Sequence, residues 1–328
     1  NSQLISKMNV FRTFALFCIA LLVSQARASS EALSEEEEDT EENNSIRERE
    51  RLKAEADAEQ RREYPEMYGD AEQGDMIIPK EELEELKRLA KVGGHGKYRT
   101  SIFNSAYFSY GGTYGYGWIY YGLGRIPYYV TPDFKQRTAA EGNGSHTPYE
   151  IFMDAIAYIK NEVACVDFFP FEGATTPYYV LVDYGASCQA EIGCRMKSGQ
   201  KLDLGPYCTF KRGTVLHEIM HVLGFYHEHT RQDRDSEVTV HLENVETSPN
   251  DRRSNFDVVS TDFVDHSPVY DCGSVMHYTH NAYSTDKFSL DTITGKTTAC
   301  RNVMGQRVDF SPIDKATLAA KYGPPCPA

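Results

Sequence analysis

Residues 217–228 read HEIMHVLGFYHE, and this stretch contains a complete set of metal ligands. On a helix, His217 and His221 lie four residues apart and project from one face, close enough for both imidazoles to bind one metal ion. Gly224 can adopt a positive φ at little cost, so the chain can leave the helix and bring His227 back as a third ligand. Three neutral imidazoles leave a fourth position for water, which is typical of a catalytic zinc site.

Glu218 follows the first ligand and is not needed to bind the metal. Zinc lowers the pKa of its bound water from about 16 toward roughly 7, and Glu218 can accept the proton. A structural zinc module would instead close the fourth position. A binding protein that keeps zinc without turnover would be favoured if Glu218 or a ligand had been lost, and none is lost.

A second motif follows further along the chain, where residues 274–278 read SVMHY. Together with HExxHxxGFYHEHTRxDRD, it makes the sequence resemble the astacin family of secreted metzincin zinc endopeptidases. The similarity extends from about Arg125 to Cys326. It implies an α+β, zincin-like fold of two lobes, in which a mixed twisted sheet and the active-site helix lie above a loop-rich lower lobe.

The resemblance also implies roles for individual residues. His217, His221 and His227 would bind one zinc ion per subunit, and Glu218 would be the general base. Tyr278 would be an additional zinc ligand in the absence of substrate, and its phenol would leave the metal to help hold the oxyanion.

Two further residues of the motifs would have structural roles in this family. Met276 would form the apolar floor beneath the metal. The carboxylate of Glu228 would reach, directly or through water, toward the mature amino terminus.

The amino end has the features of a secretory signal. Residues 1–7 precede Met8 and read as a leader, an apolar run covers residues 14–23, and Ala-Arg-Ala at 26–28 forms a cleavage site. We therefore expect residues 1–28 to be removed. The apolar run is too short for a permanent membrane span, and no second candidate follows.

Residues 29–99, called the acidic segment below, contain 22 Asp or Glu against 12 Lys or Arg. From residue 29 to about 62 the composition cannot bury enough apolar surface to fold alone, and the acidic run at residues 35–42 is expected to be a solvated, disordered face. Residues 79–91 show helical spacing, and glycines then lead to Lys97-Tyr98-Arg99, a suitable site for a trypsin-like protease. The acidic segment thus reads as a pro-segment, with residues 100–328 as the catalytic domain.

A carboxylate from such a segment can keep the enzyme latent by displacing the catalytic water. Residues 72–77, EQGDMI, resemble the family's F-x-G-D switch motif and nominate Asp75, although Glu72 stands where an aromatic residue is common. Asp70, in a second Gly-Asp pair, remains an alternative. Both pairs could also be simple turns.

The catalytic domain shows strand and helix patterns in alternation. The Tyr- and Gly-rich stretch 107–129, which contains the single tryptophan, fits irregular strands better than a ligand surface. The remaining expected elements are strands at 125–130 and 178–183 and helices at 147–163, 215–224 and 311–321.

Seven cysteines remain after the signal, in an oxidising compartment where disulfides form. The family pattern implies the pairs Cys165–Cys326 and Cys188–Cys208. Cys272 and Cys300 are additional, and we predict that they pair and brace the SVMHY region. Cys194 is left over, either free or joined to another chain. Asn143, in Asn-Gly-Ser, is a candidate glycosylation site.

The expected protein is a secreted, extracellular zymogen that hydrolyses protein or peptide substrates after activation by a trypsin-like protease. The sequence ends two residues after Cys326, so we expect no appended module, which favours a digestive, hatching or venom-type protease. No basic stripe suits nucleic acid, and we expect no membrane partner and a monomer. Arg301 and Arg307 would favour acidic substrate side chains after the scissile bond.

Overall fold

The computed structural model describes residue 24 and residues 46–68, 71, 74–78, 80–91, 118, 124–164, 166–259 and 269–322. The chain forms two compact units, Asn1–Ala56 and Asp57–Ala328, so the acidic segment is divided between them. In the first unit residues 46–56 are helical, and Arg51 pairs with Glu48 and Glu55 one turn away. All elements named below belong to the second unit.

Six strands form a mixed sheet with the order β1-β5-β6-β4-β2-β3. All pairs are parallel except β5 with β6. The strands are β1 (Met76–Ile77), β2 (Arg125–Val130), β3 (Asp167–Pro170), β4 (Val180–Asp183), β5 (Cys188–Glu191) and β6 (Gln200–Leu204). β1 comes from the acidic segment and covers the edge of the sheet next to β5.

Besides the helical residues 57–63, six α-helices accompany the strands in the described part of this unit. They are α1 (Lys80–Lys91), α2 (Pro132–Lys135), α3 (Pro148–Glu162), α4 (Arg212–Val222), α5 (Thr298–Arg301) and α6 (Pro312–Tyr322). Thr147 and Glu150 form a capping box at the start of α3, with Pro148 as the first helical residue. The reciprocal bonds between Ser311 and Asp314 cap α6 in the same way.

The described residues of this unit include two large hydrophobic clusters. One lies between the sheet and helices α3, α4 and α6, and it includes Trp118, whose indole N–H donates to the carbonyl of Val222 at 2.9 Å. Trp118 therefore belongs to the core and not to a ligand surface. The other cluster lies in a loop-rich part with one short antiparallel pair, β7 (Val238–Val240) and β8 (Ile293–Gly295). This arrangement confirms the expected α+β class.

Part of the stretch 29–62, whose composition does not let it fold alone, is held by contacts with the rest of the chain. Residues 57–63 are helical in the second unit, where the Gln60 amide donates to the Asn281 side chain at 2.9 Å. Lys287 pairs with Asp57 and donates to the Tyr68 hydroxyl at 2.8 Å. The composition argument considered this stretch alone, whereas contacts with distant residues hold it in the fold.

The structure joins Cys188 to Cys208 and Cys272 to Cys300. Cys194 is free and buried, and burial raises the pKa of its thiol to about 11. It is therefore an unreactive core thiol at neutral pH. The expected pair Cys165–Cys326 lies outside the described residues. In the described part of the chain, no helix combines the length and apolar character that a membrane crossing requires.

Candidate metal centre

Helix α4 and the turn after it bring three histidines together. His217 and His221 project from one face of α4 with ring centroids 4.8 Å apart. The helix ends at Val222, and Gly224 has a φ of 96°, in the region that favours glycine. The chain can therefore turn back and place the His227 ring 4.8 Å from that of His221. All three side chains are fully buried.

Hydrogen bonds to backbone carbonyls fix the orientation of two of these rings. The Nδ1 of His217 donates to the carbonyl of Val275 at 2.8 Å, and the Nδ1 of His221 donates to the carbonyl of Phe225 at 2.8 Å. Because Nδ1 carries the proton in both rings, the Nε2 lone pairs point into the centre.

Asp75, from the acidic segment, contributes a fourth ligand group. Its carboxylate oxygens lie 2.9 Å from the Nε2 of His217, 3.5 Å from that of His221 and 3.1 Å from that of His227. Two ligands of one tetrahedral zinc, each about 2.0–2.1 Å from the metal, are separated by about 3.3 Å. The four side chains therefore fit one zinc ion.

Buried polar atoms without protein partners support this fit. Among the described residues, the Nε2 of His221 and the Oδ1 of Asp75 have no hydrogen-bond partner in the protein. Both belong to the four-residue cluster whose ligand atoms lie within 4.8 Å of one another. Unsatisfied buried polar groups are costly, so a cation that binds them would stabilise this centre.

The centre favours neutral imidazoles at His217 and His227 and an ionised carboxylate at Asp75. Burial lowers the pKa of His217 to about 3, and it also lowers the pKa of His227. Burial opposes ionisation of Asp75, but His227 and His221 together hold its pKa well below the ordinary value. Neutral imidazole and ionised carboxylate are the forms that bind zinc.

Glu218 lies beside the ligands and is fully buried, and neither of its carboxylate oxygens has a hydrogen-bond partner among the described residues. Burial, followed by the nearby charge of Asp75, raises its pKa well above the ordinary value. In its ionised form, a carboxylate in this position can accept a proton.

The SVMHY turn packs beneath these groups. Asp314 fixes it by accepting hydrogen bonds from the Ser274 hydroxyl at 2.6 Å and the Val275 N–H at 2.9 Å. Met276 is buried, and its carbonyl accepts from the backbone N–H of Glu228 at 3.0 Å.

The Glu228 carboxylate has protein partners in this structure. It accepts from the Asp271 N–H at 2.8 Å and lies 3.4 Å from the Arg231 guanidinium. Burial raises the pKa of Glu228 to about 8.

Some contacts of the site could not be found from the sequence. Glu66 and Arg307 form a 2.9 Å ion pair with both side chains fully buried, although 241 residues separate them. The Tyr283 ring lies beside that of Tyr278, with the ring centroids 5.8 Å apart. No motif marks these contacts. Two predicted features, the alternative switch Asp70 and the cleavage site Arg99–Thr100, lie outside the described residues.

This geometry places the chain in the class of HExxH zinc proteins, in which two histidines of one helix and a third ligand hold a single ion. Residues 125–323 match the peptidase family described as Astacin. The chain belongs to this family, and zinc is its cofactor.

Sequence similarity to individual relatives agrees with this family assignment. The chain is 36% identical to human Meprin A subunit beta over 159 residues, which is 48% of this chain and 22% of the relative. It is 31% identical to Zinc metalloproteinase nas-8 of Caenorhabditis elegans over 199 residues, 61% of this chain and 45% of the relative. It thus spans less than half the length of these curated relatives.

One solved structure is similar at the level of the fold. High choriolytic enzyme 1, a hatching enzyme zinc-protease from Oryzias latipes, superimposes with a TM-score of 0.51 at 26% sequence identity. The match covers 60% of this chain and 88% of the other.

Proposed function

We propose that this protein is a zinc-dependent endopeptidase that the acidic segment holds latent. The observation that carries the proposal is the position of Asp75, whose carboxylate lies 2.9–3.5 Å from three imidazole nitrogens. In that position it takes the place that water needs for peptide hydrolysis. Asp75 is therefore the switch residue.

The reaction uses residues that the site already positions. A bound zinc supplies Lewis acidity toward the scissile carbonyl and the attacking water. Glu218 takes the proton from that water and passes it to the leaving amine. The Tyr278 hydroxyl donates a hydrogen bond to the developing oxyanion, and buried Met276 supports the histidines from below.

The sheet edge next to β5 provides a place for the substrate backbone. In the structure the N–H of Ala190 donates to the carbonyl of Asp75 at 2.9 Å, and the N–H of Ile192 donates to that of Ile77 at 3.4 Å. When β1 leaves, these donors become available to an extended peptide, which would add to the sheet as a strand. The acidic segment therefore blocks both the metal and the peptide-binding edge.

Arg307 supports a preference for acidic side chains near the scissile bond. Its guanidinium binds Glu66 and donates to the carbonyls of His277 and Gln306, whereas Arg301 donates to the carbonyl of Gly295. If the acidic segment leaves, Arg307 loses its only described acidic partner. A buried unpaired charge is costly, so an acidic substrate side chain in the place of Glu66 would be favoured.

Activation would follow cleavage by a trypsin-like protease at Arg99–Thr100. The free amino terminus would then compete for Glu228, whose present partners are the Asp271 N–H and Arg231. We further propose a secreted, extracellular monomer, glycosylated at the exposed Asn143. Its relatives include a hatching enzyme, and a hatching, digestive or venom-type role fits that likeness.

Casein hydrolysis tests the proposal. We expect the full chain to be inactive before trypsin treatment and active afterwards, with one zinc per chain by elemental analysis. A chelator should abolish the activity and added zinc should restore it. A trypsin-treated protein that contains zinc but cleaves no casein or peptide library would instead be a zinc-binding protein, and the proposal would fail.

A further inference from the structure

Three basic side chains of the catalytic domain form ion pairs with one twelve-residue stretch of the acidic segment, residues 57–68, called the docking stretch below. The pairs are Lys287 with Asp57, Lys211 with Glu63 at 2.6 Å and Arg307 with Glu66 at 2.9 Å. Among the described residues, none of the three cations forms an ion pair with any other acid. The docking stretch contains four acids against two arginines, so its charge complements that of the surface it covers.

Two of these cations lie beside the start of the metal helix. Lys211 directly precedes α4, and a Cβ atom on Gly213 would lie 2.1 Å from the carbonyl oxygen of Arg307. The ring centroid of Tyr64, in the docking stretch, is 5.8 Å from the Lys211 Nζ and 5.9 Å from the Arg307 Cζ. A cation within about 6 Å of a ring centroid is attracted to the ring. Lys211 and Arg307 therefore bind an aromatic side chain as well as carboxylates.

Lys287 also contacts an aromatic ring of the docking stretch, but the space around it is not filled. Its Nζ donates to the Tyr68 hydroxyl at 2.8 Å and lies 4.8 Å from the centroid of that ring. A cavity of about 140 Å³ remains beside them, and its lining includes Arg252 and Glu246. Because the docking stretch leaves this space open, the surface has room for an acidic stretch of different sequence.

The three cations lose their acidic partners when the acidic segment leaves. In the full chain the side chains of Lys287 and Arg307 are 13% and 0% exposed, and a mostly buried charge without a partner is costly. We propose that Lys211, Lys287 and Arg307, called the basic track, then bind an acidic stretch with aromatic side chains in protein substrates, beyond the residues next to the scissile bond. The inference rests on the proposed function and adds a second contact region to its acidic preference. In the alternative, the basic track only docks the acidic segment.

Two fluorogenic peptides test the basic track in the trypsin-treated chain, after the trypsin is inhibited. Both contain the same cleavable stretch, joined by a Gly-Ser linker to a tail. One tail is residues 57–68, and the other carries Asp57→Asn and Glu63→Gln, so both keep Glu66. We expect kcat/KM to be about two- to twentyfold higher with the acidic tail, since each exposed ion pair changes an equilibrium roughly 1.5- to fivefold. In about 1 M NaCl, where charges are screened within about 3 Å, the difference should vanish.

Lys211→Gln and Lys287→Gln, combined in one variant, should make the two tails equivalent, because the carboxylates that distinguish them lose their partners. The Lys211 side chain does not cap α4, so its replacement leaves the helix start intact. Lys160→Gln is the control, since this exposed lysine pairs with Asp167 within the catalytic domain at 2.6 Å, and it should keep the parent ratio. Equal turnover of both tails by the parent, or a ratio unchanged in the double variant, would overturn the inference.

A second measurement needs no variant and no hydrolysis. By fluorescence anisotropy with a chelator present, a labelled peptide of residues 57–68 should bind the trypsin-treated chain after gel filtration at high salt has removed its segment. It should not bind the uncleaved chain, whose own segment covers the basic track. Casein hydrolysis without this binding, or equal binding to both forms, overturns the inference alone. Binding to the treated form without casein hydrolysis overturns the protease function and leaves the basic track as a site for acidic peptides.

Discussion

Two regions meet at the metal centre, and they are held in very different ways. One is the helix and turn with the three histidines, and the other is the acidic segment. His217, His221 and their orienting carbonyls all belong to the matched family region, and α4 packs against the main core. The acidic segment reaches the same centre through a two-residue strand, one buried ion pair and one carboxylate. The difference indicates that the carbonyls that orient His217 and His221 lie outside the acidic segment, whereas the segment itself is held to the rest of the unit by several polar contacts and by the second hydrophobic cluster.

The largest expected effect comes from Glu218, which adjoins the histidines. In the trypsin-treated chain, Glu218→Gln should lower kcat/KM for a peptide by about 10²–10⁴-fold because the proton acceptor is lost. Zinc content by elemental analysis should not change. The exposed Glu243, replaced in the same way, is the control. Activity of Glu218→Gln close to that of Glu243→Gln would remove Glu218 from the mechanism.

Replacement of Glu66 tests how the acidic segment is held to the rest of the unit. In the full chain, Glu66→Gln leaves Arg307 buried without its counter-ion, which should lower the free energy of unfolding in urea by about 3–5 kcal/mol. Glu63→Gln removes the exposed pair with Lys211 and should cost about 0–1 kcal/mol. Equal effects of the two substitutions would show that the buried pair has no special role in docking.

Replacement of Asp75 tests the contact between the acidic segment and the three histidines. Asp75→Asn in the uncleaved chain should raise casein hydrolysis about ten- to hundredfold, since a hydrogen bond to a charged group is worth about 1.5–3 kcal/mol. Asp57→Asn serves as the control, because Asp57 lies in the same segment and pairs with Lys287. A variant as latent as the parent would count against Asp75 as the switch residue and would favour the alternative, Asp70.

The smallest effect concerns the turn that brings His227 back. Gly224→Ala and Gly144→Ala both place an alanine at positive φ, at 96° and 86°, and each should destabilise the chain by about 1–2 kcal/mol. Only Gly224→Ala should also weaken zinc binding in a competition with a chelating dye. The same zinc affinity in both variants would show that Gly224 matters to the fold alone.

Much of the fold and site could be read from short stretches of sequence. Helical spacing predicted α3 and α6 to within one or two residues, and the expected strand 125–130 agrees with β2. The metal helix begins earlier and ends earlier than expected, at Arg212 and Val222, because its start lacks a side-chain cap and its end depends on the turn at Gly224. Each successful prediction depends on residues close together in the chain.

Contacts between distant residues could not be predicted in this way. Asp75 and His217 are 142 residues apart, and Glu66 and Arg307 are 241 apart. Composition indicated that residues 57–62 could not fold alone, and it could not show that Asn281 and Lys287 would hold their helix. Such pairings depend on how the core packs, which local spacing does not encode.

The sequence by itself determined the ligand triad, the adjacent glutamate and the family, because a helical repeat and one glycine fix the relative positions of nearby side chains. Only the tertiary structure decided which carboxylate meets the triad and which sheet edge the acidic segment covers. These contacts form when burial of apolar surface brings distant parts of the chain together. Because the hydrophobic effect is not directional, the spacing of residues along the sequence does not show which parts will meet.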